Sequence, residues 1–147
     1  MSEKTFRQAL NEALSQEMKK DENVIVIGED VAGGAGANGE QDAWGGPMGI
    51  TKGLMPEFGR ERVIDTPISK SAIIGTAAGA ALTGLRPVAE LMFVDFMGVC
   101  FDQILNHMSK FGSMYNGQVK PHLVVRTPMG GYRGYGPTHS QSLEKIR

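Results

Sequence analysis

The stretch RVIDTPISKSAIIGTAAGAAL (residues 62–82) decides the fold of this chain. Val63–Ile64 is an apolar, β-branched pair typical of a short buried strand, and Pro67 fixes the turn that follows. From Ser69 to Leu82 the side chains are small and apolar nearly all round, which predicts a buried helix that other backbones approach closely. Gly84 follows as a stop signal. The stretch therefore predicts a strand followed by a helix, the repeating unit of an α/β fold.

The same alternation continues on both sides of this stretch. Thr5 and Gln8 have capping-box spacing, and the apolar residues after them predict a helix over about residues 6–20. Further strands are predicted at Val24–Ile27, Pro87–Phe96 and His122–Arg126, and an amphipathic helix at Val99–Phe111, ending at Gly112. No hairpin signal separates neighbouring strands. The pattern predicts a mostly parallel sheet with right-handed crossovers and helices on both faces.

Polar and aromatic residues gather where the strands are predicted to end. They are Glu29–Asp30, Asp65 to Lys70, Asp95–Phe96 and Arg126 to His139. In open parallel sheets, ligands bind outside the carboxyl ends of the strands. We therefore expect the functional site at this edge.

Length and composition fit one intracellular domain. The chain has 147 residues, of which 41% are hydrophobic, and its net charge of −1 provides no basic surface for nucleic acid or an anionic membrane. The start of the chain lacks the apolar core of a secretory signal, and no stretch is long enough to span a bilayer. A single cysteine, Cys100, excludes an internal disulfide and a zinc cluster, so we expect a reducing compartment such as the bacterial cytoplasm.

Several local patterns are better explained by a structural role than by catalysis or ligand binding. Residues 34–39 fit the dinucleotide fingerprint. That motif requires a strand directly before it and a helix directly after it, whereas here it starts several residues after a strand and no helix is expected to follow. A mobile or partner-facing surface loop anchored by Trp44 is the better interpretation. His107 and His122 have no second ligand at metal spacing, and a structural or solvated role is expected for both. We predict no metal site within the chain.

His139 and Lys70 are more informative. His139 lies in PTHSQS, between a glycine-rich loop and an expected helix, and histidine titrates in the range that suits proton transfer near neutral pH. No nucleophile elbow accompanies it, and Cys100 is expected on an apolar helix face, so a hydrolase has no support. Lys70 opens the buried helix, where a cation meets the positive end of the helix dipole at a cost of about 0.3–1 kcal/mol. A solvated lysine at position 70 is compatible with folding, but it does not explain why a positive charge stands at the positive end of the helix dipole.

Eight short motifs occur in an order that resembles a known family. They are GED, AGGAGANGEQDAWGG, TKGL, DTPIS, AAGAALTGLRPV, ELMFVDF, DQILN and THSQS, beginning at Gly28. Together they resemble the beta subunit of the thiamine-diphosphate-dependent 2-oxo acid dehydrogenases, and the long loop is most similar to the acetoin dehydrogenase branch, with the pyruvate and branched-chain enzymes as relatives. The resemblance implies a transketolase-like pyrimidine-binding domain over residues 1–147, incomplete at its end and without the family's C-terminal transketolase-type domain.

The resemblance also implies a cofactor and partners. Thiamine diphosphate would be shared with an alpha subunit, which holds the diphosphate through Mg²⁺ while the beta subunit holds the aminopyrimidine. The implied activity is that of an oxidoreductase acting on 2-oxo acids or acetoin, in which an acyl group passes to a lipoyl-bearing acyltransferase core. Self-association is expected as well.

Family roles transfer to individual positions of this chain. Phe96 matches the aromatic residue that stacks on the pyrimidine, and Ile68 matches an apolar wall. Glu29 matches an acidic residue of the passage between active sites, and we group it with these two as cofactor-binding. His139 matches the histidine near the reactive carbon of the cofactor, which assists acyl transfer. Asp102 and Gln103 match a motif with a structural role on the interface helix.

Position 70 departs from the family, which has glutamate there in a run reading DTPISE. The family's carboxylate hydrogen-bonds the pyrimidine ring nitrogen and favours its protonation, whereas the ammonium of Lys70 would repel a protonated ring nitrogen by about 4 kcal/mol at an effective dielectric near 20. The catalytic position is thus altered, and we expect the chain to be inactive alone.

Three functions remain as hypotheses. The first is a beta subunit that supplies the pyrimidine side of the cofactor site. The second is a non-catalytic, beta-like interaction protein that pairs with an alpha subunit or with itself. The third, a dinucleotide-binding oxidoreductase, has the weakest support.

Overall fold

Four parallel strands form the sheet of this protein. The computed structural model describes residues 3–33, 45–131 and 134–144. The strands are β1 Val24–Gly28, β2 Val63–Asp65, β3 Arg86–Glu90 and β4 Val124–Arg126, in the order β2–β1–β3–β4. All three pairings are parallel. The helices are α1 Phe6–Lys20, α2 Leu54–Phe58, α3 Lys70–Leu82, α4 Met97–Asp102 and α5 Phe111–Met114. The predicted α/β fold is confirmed.

The sheet separates two apolar cores. Every residue of β1 is buried, and its side chains alternate between the two faces because successive residues of a strand point in opposite directions. Val26 packs on one face with Met18 of α1 and Leu54 of α2. Ile27 packs on the other face with residues of α3 and with Cys100 of α4. Helices therefore cover both faces, as the continuous apolar strand predicted.

The bounds of the first two long helices agree with the sequence prediction. The Thr5 N–H donates to Gln8 Oε1 at 2.9 Å and the Gln8 N–H donates to Thr5 Oγ1 at 3.2 Å, which completes the predicted capping box. In α3, Ser69 is the residue before the helix and Lys70 is the first residue within it. A Cβ atom added to Gly75 would lie only 2.8 Å from Gln103 Oε1, so the small residues of α3 do allow a close approach.

The third strand is shorter than the predicted Pro87–Phe96. It ends at Glu90, and Val94–Phe96 form a 3₁₀ turn instead. Its partner β4 is followed by Pro128, which has no N–H to donate and cannot continue a ladder. The carbonyl of Pro128 accepts from the Val94 N–H at 3.0 Å, which holds the turn in place.

The predicted helix Val99–Phe111 is interrupted and does not end at Gly112. After α4 the chain forms one π-helical turn at Gln103–His107 and a 3₁₀ turn at Met108–Lys110, and then continues as α5 to Met114. The Ser109 hydroxyl donates to the Leu105 carbonyl at 2.7 Å, and a side chain that bonds the carbonyl four residues earlier competes with the backbone ladder. This competition explains the change of pitch.

Arg62 ties the end of α1 to the sheet. Its guanidinium donates to the carbonyl oxygens of Met18, Asp21 and Val24 at 2.8–2.9 Å, and it lies 5.2 Å from the ring centroid of Phe58. The carbonyl groups of Met18 and Asp21 belong to the end of α1 and the turn after it, where backbone acceptors lack helical partners, and Val24 begins β1.

We expect Arg62→Ala to lower the free energy of unfolding by about 3 kcal/mol, because three carbonyl groups lose a charged donor. Urea unfolding of the chain measures this. Arg86→Ala is the matched control. Arg86 makes a single exposed ion pair with Asp21 at 3.1 Å, and such pairs contribute about 0–1 kcal/mol. Equal losses in the two variants would contradict the assigned role of Arg62.

Some sequence predictions fall outside the described residues. They are the interpretation of residues 34–39 as a surface loop and the anchoring role of Trp44. Residues 140–144, which follow His139, are described and are not helical, so the helix expected there does not begin within them. Within the residues that are described, no helix is both long and apolar enough to cross a membrane.

Candidate functional site

The four strands end at about the same level of the sheet, so the residues that come directly after them lie close together. Gly28 of β1 pairs with Asp65 of β2, and Glu90 of β3 pairs with Arg126 of β4. Because all four strands are parallel, the segments that leave them emerge at the same edge of the sheet. This is the edge at which the sequence predicted a site.

Glu29 and Lys70 form a buried ion pair at this edge. The Lys70 ammonium lies 3.0 Å from Glu29 Oε1 and 3.1 Å from Oε2. The side chains are only 13% and 6% exposed, respectively. Glu29 follows β1 directly and Lys70 begins α3, so two different elements hold the two charges. The carboxylate near the start of α3 thus comes from the residue after β1 and not from the helix itself. Its negative charge offsets the unfavourable interaction between the Lys70 cation and the helix dipole.

Phe96 links this ion pair to His139. The Lys70 ammonium lies 4.6 Å from the centroid of the Phe96 ring, within the range of a cation–π contact. On another side of Phe96 the His139 imidazole approaches edge-to-face, with 5.2 Å between centroids and an interplanar angle of 88°. Glu29, Lys70, Phe96 and His139 therefore form one continuous chain of contacts, although they come from four separate segments of the sequence.

Hydrogen bonds fix the loop that carries His139. The Gln141 N–H donates to Asp95 Oδ1 at 3.1 Å, and the Gly130 N–H donates to the Gln141 carbonyl at 2.9 Å. His139 Nδ1 lies 2.8 Å from Thr138 Oγ1. The loop is thus attached to the 3₁₀ turn of Phe96 by its backbone, which holds the imidazole against the aromatic ring.

Ile68 does not join this chain of contacts. Its side chain is 82% exposed, and it lies in the turn just before α3. Its predicted role as an apolar wall stays a prediction.

Phe93 is a site residue that the sequence reasoning missed. Its ring contacts His139 at 5.2 Å, Tyr135 at 5.8 Å and Phe96 at 6.3 Å between centroids. A cavity of about 150 Å³ lies against Phe93, Tyr135 and His139. Because Phe93 was placed inside a longer predicted strand, its position at the edge was hidden. Its spacing of three residues from Phe96 was the available signal.

A second buried ion pair, Glu90 with Arg126, was also missed. Glu90 is 3% exposed and pairs with Arg126 across the ends of β3 and β4. Burial lowers the pKa of Arg126 to about 10, so the guanidinium stays charged at neutral pH. A Cβ atom on Gly46 would lie 2.9 Å from Glu90 Oε1, so the segment after the long loop rests directly on this carboxylate. The available signal in the sequence for this ion pair was a glutamate within an otherwise apolar predicted strand.

The other candidate residues lie apart from this site. His107 Nε2 lies 3.6 Å from Asp102 Oδ2 on the interrupted helix, and His122 is exposed. Cys100 is fully buried, and burial raises the pKa of its thiol, which gives a weak nucleophile. Among the residues described, no three His, Cys, Asp or Glu side chains cluster as metal ligands do.

Comparison with protein families gives one match over almost the entire chain. A family model described as transketolase, pyrimidine binding domain, matches residues 2–147.

Curated relatives are similar over most of this chain but extend well beyond it. The beta subunit of acetoin:2,6-dichlorophenolindophenol oxidoreductase from Cupriavidus necator is 54% identical over 143 residues, which cover 97% of this chain and 42% of the relative. The subunit of the same name from Bacillus subtilis is 56% identical over 138 residues, covering 92% and 40%. A pyruvate dehydrogenase E1 component subunit beta from Staphylococcus epidermidis is 40% identical over 146 residues, covering 99% and 42%. The chain thus spans about two fifths of these relatives.

Proposed function

The chain belongs to the family of transketolase pyrimidine-binding domains, and on that basis we propose that it supplies the aminopyrimidine side of a thiamine-diphosphate site in a dehydrogenase beta subunit. The acetoin branch is the favoured one, because identity is 54–56% to the two acetoin subunits and 40% to the pyruvate dehydrogenase subunit. This agrees with the resemblance of the long loop. The substrate would be acetoin or a 2-oxo acid.

The contact chain Glu29–Lys70–Phe96–His139 is the observation that carries the proposal. Residues assigned to the cofactor by resemblance could have been scattered over the surface. They are instead in van der Waals or ionic contact at the carboxyl ends of the strands, where sheets of this kind bind ligands.

The aromatic side of this site fits an aminopyrimidine, and position 70 does not. Phe96 offers an aromatic ring, which suits stacking of a flat heterocycle. Asp95 Oδ2 is a buried oxygen for which the described residues provide no hydrogen-bond donor, so this edge has capacity for a further polar group. Lys70, however, can only donate hydrogen bonds. It cannot hold a proton on a ring nitrogen, and we derive no reaction step through the cofactor at this site.

The remaining groups of the site would come from partners. We propose that an alpha subunit holds the diphosphate through Mg²⁺ and that a lipoyl-bearing acyltransferase accepts the acyl group, with His139 beside the reacting carbon. The names of the relatives, subunit beta and E1 component, support a multi-subunit complex.

A second candidate function is a non-catalytic interaction protein. Four large apolar side chains are exposed along the interrupted helix and its end: Val99, Leu105, Met114 and Tyr115. Such a surface is typical of a partner interface. If Lys70 prevents catalysis, pairing through this surface would be the remaining function.

The test is to express the protein together with a candidate alpha subunit of the acetoin branch. We expect a stable complex that binds thiamine diphosphate with Mg²⁺, measured by calorimetry. Phe96→Ala should weaken this binding about tenfold or more, because stacking of a heterocycle on an aromatic side chain contributes about 1–3 kcal/mol.

Phe6→Ala is the control, since Phe6 is an aromatic residue at the start of α1 that is 82% exposed and not in the contact chain. It should leave cofactor affinity unchanged. Dye reduction with acetoin, using 2,6-dichlorophenolindophenol as in the names of two relatives, reports turnover. A complex that forms but binds no cofactor, with Lys70 or with glutamate in its place, would favour the interaction protein.

A further inference from the structure

Lys70 occupies the place on Phe96 that a stacked ring would need. Its ammonium lies 4.6 Å from the ring centroid, and stacked aromatic rings lie about 4.5–7 Å apart between centroids. We propose that Lys70, held by Glu29, is an internal occupant of the Phe96 ring face and that a planar heterocycle must displace it to bind. This inference rests on the proposed function and concerns the regulation of the same site.

The ion pair makes this occupation persistent. The ammonium contacts both oxygens of Glu29 at 3.0 and 3.1 Å, and both side chains are largely buried. Moving Lys70 off the ring therefore breaks a cation–π contact and also separates two buried charges. Glu29, which is 5% exposed, would be left without its cation. An incoming ring thus competes with two favourable interactions within the chain.

The other approaches to Phe96 are restricted by its neighbours. Phe93 and His139 meet the ring edge-to-face, at interplanar angles of 76° and 88°. Phe96 also packs against the core cluster that contains Ile73 and Cys100. A heterocycle that stacks on the ring face beneath the Lys70 ammonium must therefore displace it, and aromatic and core residues already contact the ring elsewhere.

The displaced ammonium would also select the ligand. It presents hydrogen-bond donors only, so it accepts a neutral ring with a nitrogen or oxygen acceptor and repels a protonated one. Lys70 is thereby a specificity-determining residue of the pyrimidine side. The chemical class it admits is a neutral, planar, acceptor-bearing heterocycle.

The test uses the hydroxymethyl aminopyrimidine that forms the ring half of thiamine, because this probe needs no diphosphate site. Proton NMR of the chain should show the Lys70 side-chain methylene signals shifted upfield by the ring current of Phe96, and the shift should be lost in Phe96→Leu. Adding the probe should move these signals towards their ordinary positions. Lys70→Ala should bind the probe about tenfold more tightly, the equivalent of losing one such competing contact.

Two further variants make the result decisive. Glu29→Gln/Lys70→Ala removes the unpaired buried carboxylate as well and should retain the tighter binding. Lys19→Ala removes another ion-paired lysine, 2.7 Å from Glu57 but exposed, and should leave binding unchanged. Equal probe affinity with and without Lys70, or an absent ring-current shift, would overturn the inference. If the complex with the alpha subunit still binds thiamine diphosphate in that case, the proposed function stands; if it does not, both are wrong.

Discussion

Replacing Lys70 by glutamate is expected to raise thiamine-diphosphate-dependent turnover about a thousandfold in the complex with the proposed alpha subunit. At an effective dielectric near 20, the ammonium repels a positive ring nitrogen by about 4 kcal/mol, and each ~1.4 kcal/mol changes a rate about tenfold. A carboxylate at position 70 accepts a hydrogen bond from that nitrogen and stabilises its protonated form. Steady-state dye reduction with acetoin and with pyruvate measures the change.

Lys70→Gln separates charge from hydrogen bonding. The amide removes the repulsion but stabilises a protonated nitrogen less than a carboxylate does, so we expect a gain well below that of glutamate. If Gln and Glu give the same turnover, the carboxylate has no specific role. Turnover by the unaltered protein at the rate of the Glu variant would contradict the prediction entirely.

Glu29 must be considered in the same experiment. A glutamate at position 70 would face the carboxylate that now lies about 3 Å from the Lys70 ammonium. Two carboxylates at such a distance cannot both ionise freely, and the pKa of one rises. Because the group at position 70 acts in its ionised form, we expect the Lys70→Glu variant to lose activity as pH falls through this shared titration. Glu29→Gln/Lys70→Glu should shift that loss to a different pH while keeping most of the gain.

Affinity and turnover should respond differently at position 70. Lys70→Ala clears the ring of Phe96 but adds no group that holds a proton, so it should improve binding without restoring the rate. Lys70→Glu should do both. The pair of variants thus distinguishes occupation of the ring face from the missing carboxylate.

The parts of the fold that follow from local pattern were predictable. The capping box at Thr5, the wholly apolar β1 and the small-residue helix α3 each depend on residues close in sequence. The strand-end rule then located the site, because parallel strands place all their carboxyl ends at one edge. Resemblance to a family supplied the residue identities, and geometry brought four of the five together.

What could not be predicted depends on partners distant in sequence. The length of β3 is set by Pro128, which lies some forty residues further along and ends the neighbouring strand. The short helix α2 is flanked by glycines and contains Pro56, so its sequence is typical of a loop. The Lys70–Glu29 pair joins residues 41 apart. The unfavourable charge at the start of α3 was noticed, but only the structure identifies the carboxylate that compensates for it.

Arg126→Met is the second change for which a large effect is expected, a loss of about 3–5 kcal/mol in the free energy of unfolding. Breaking a buried ion pair by removing one partner leaves the other charge buried and uncompensated. Glu90, at 3% exposure, would be that charge. Because the pKa of Arg126 is about 10, the pair is intact throughout the neutral range. Urea unfolding followed by circular dichroism measures it.

The double variant Glu90→Gln/Arg126→Met distinguishes desolvation from loss of contact. Removing both charges should cost clearly less free energy of unfolding than Arg126→Met alone, since no buried charge remains.

The position of the Glu90–Arg126 pair extends its effect beyond stability. Glu90 supports Gly46, and Arg126 ends the strand that leads into the loop of His139. Arg126→Met should therefore increase amide hydrogen exchange in residues 127–131 and 134–141 more than in α1, which packs through Met18 against Val26 of β1. Uniform exchange over the chain would instead indicate that the pair stabilises the fold without positioning the site.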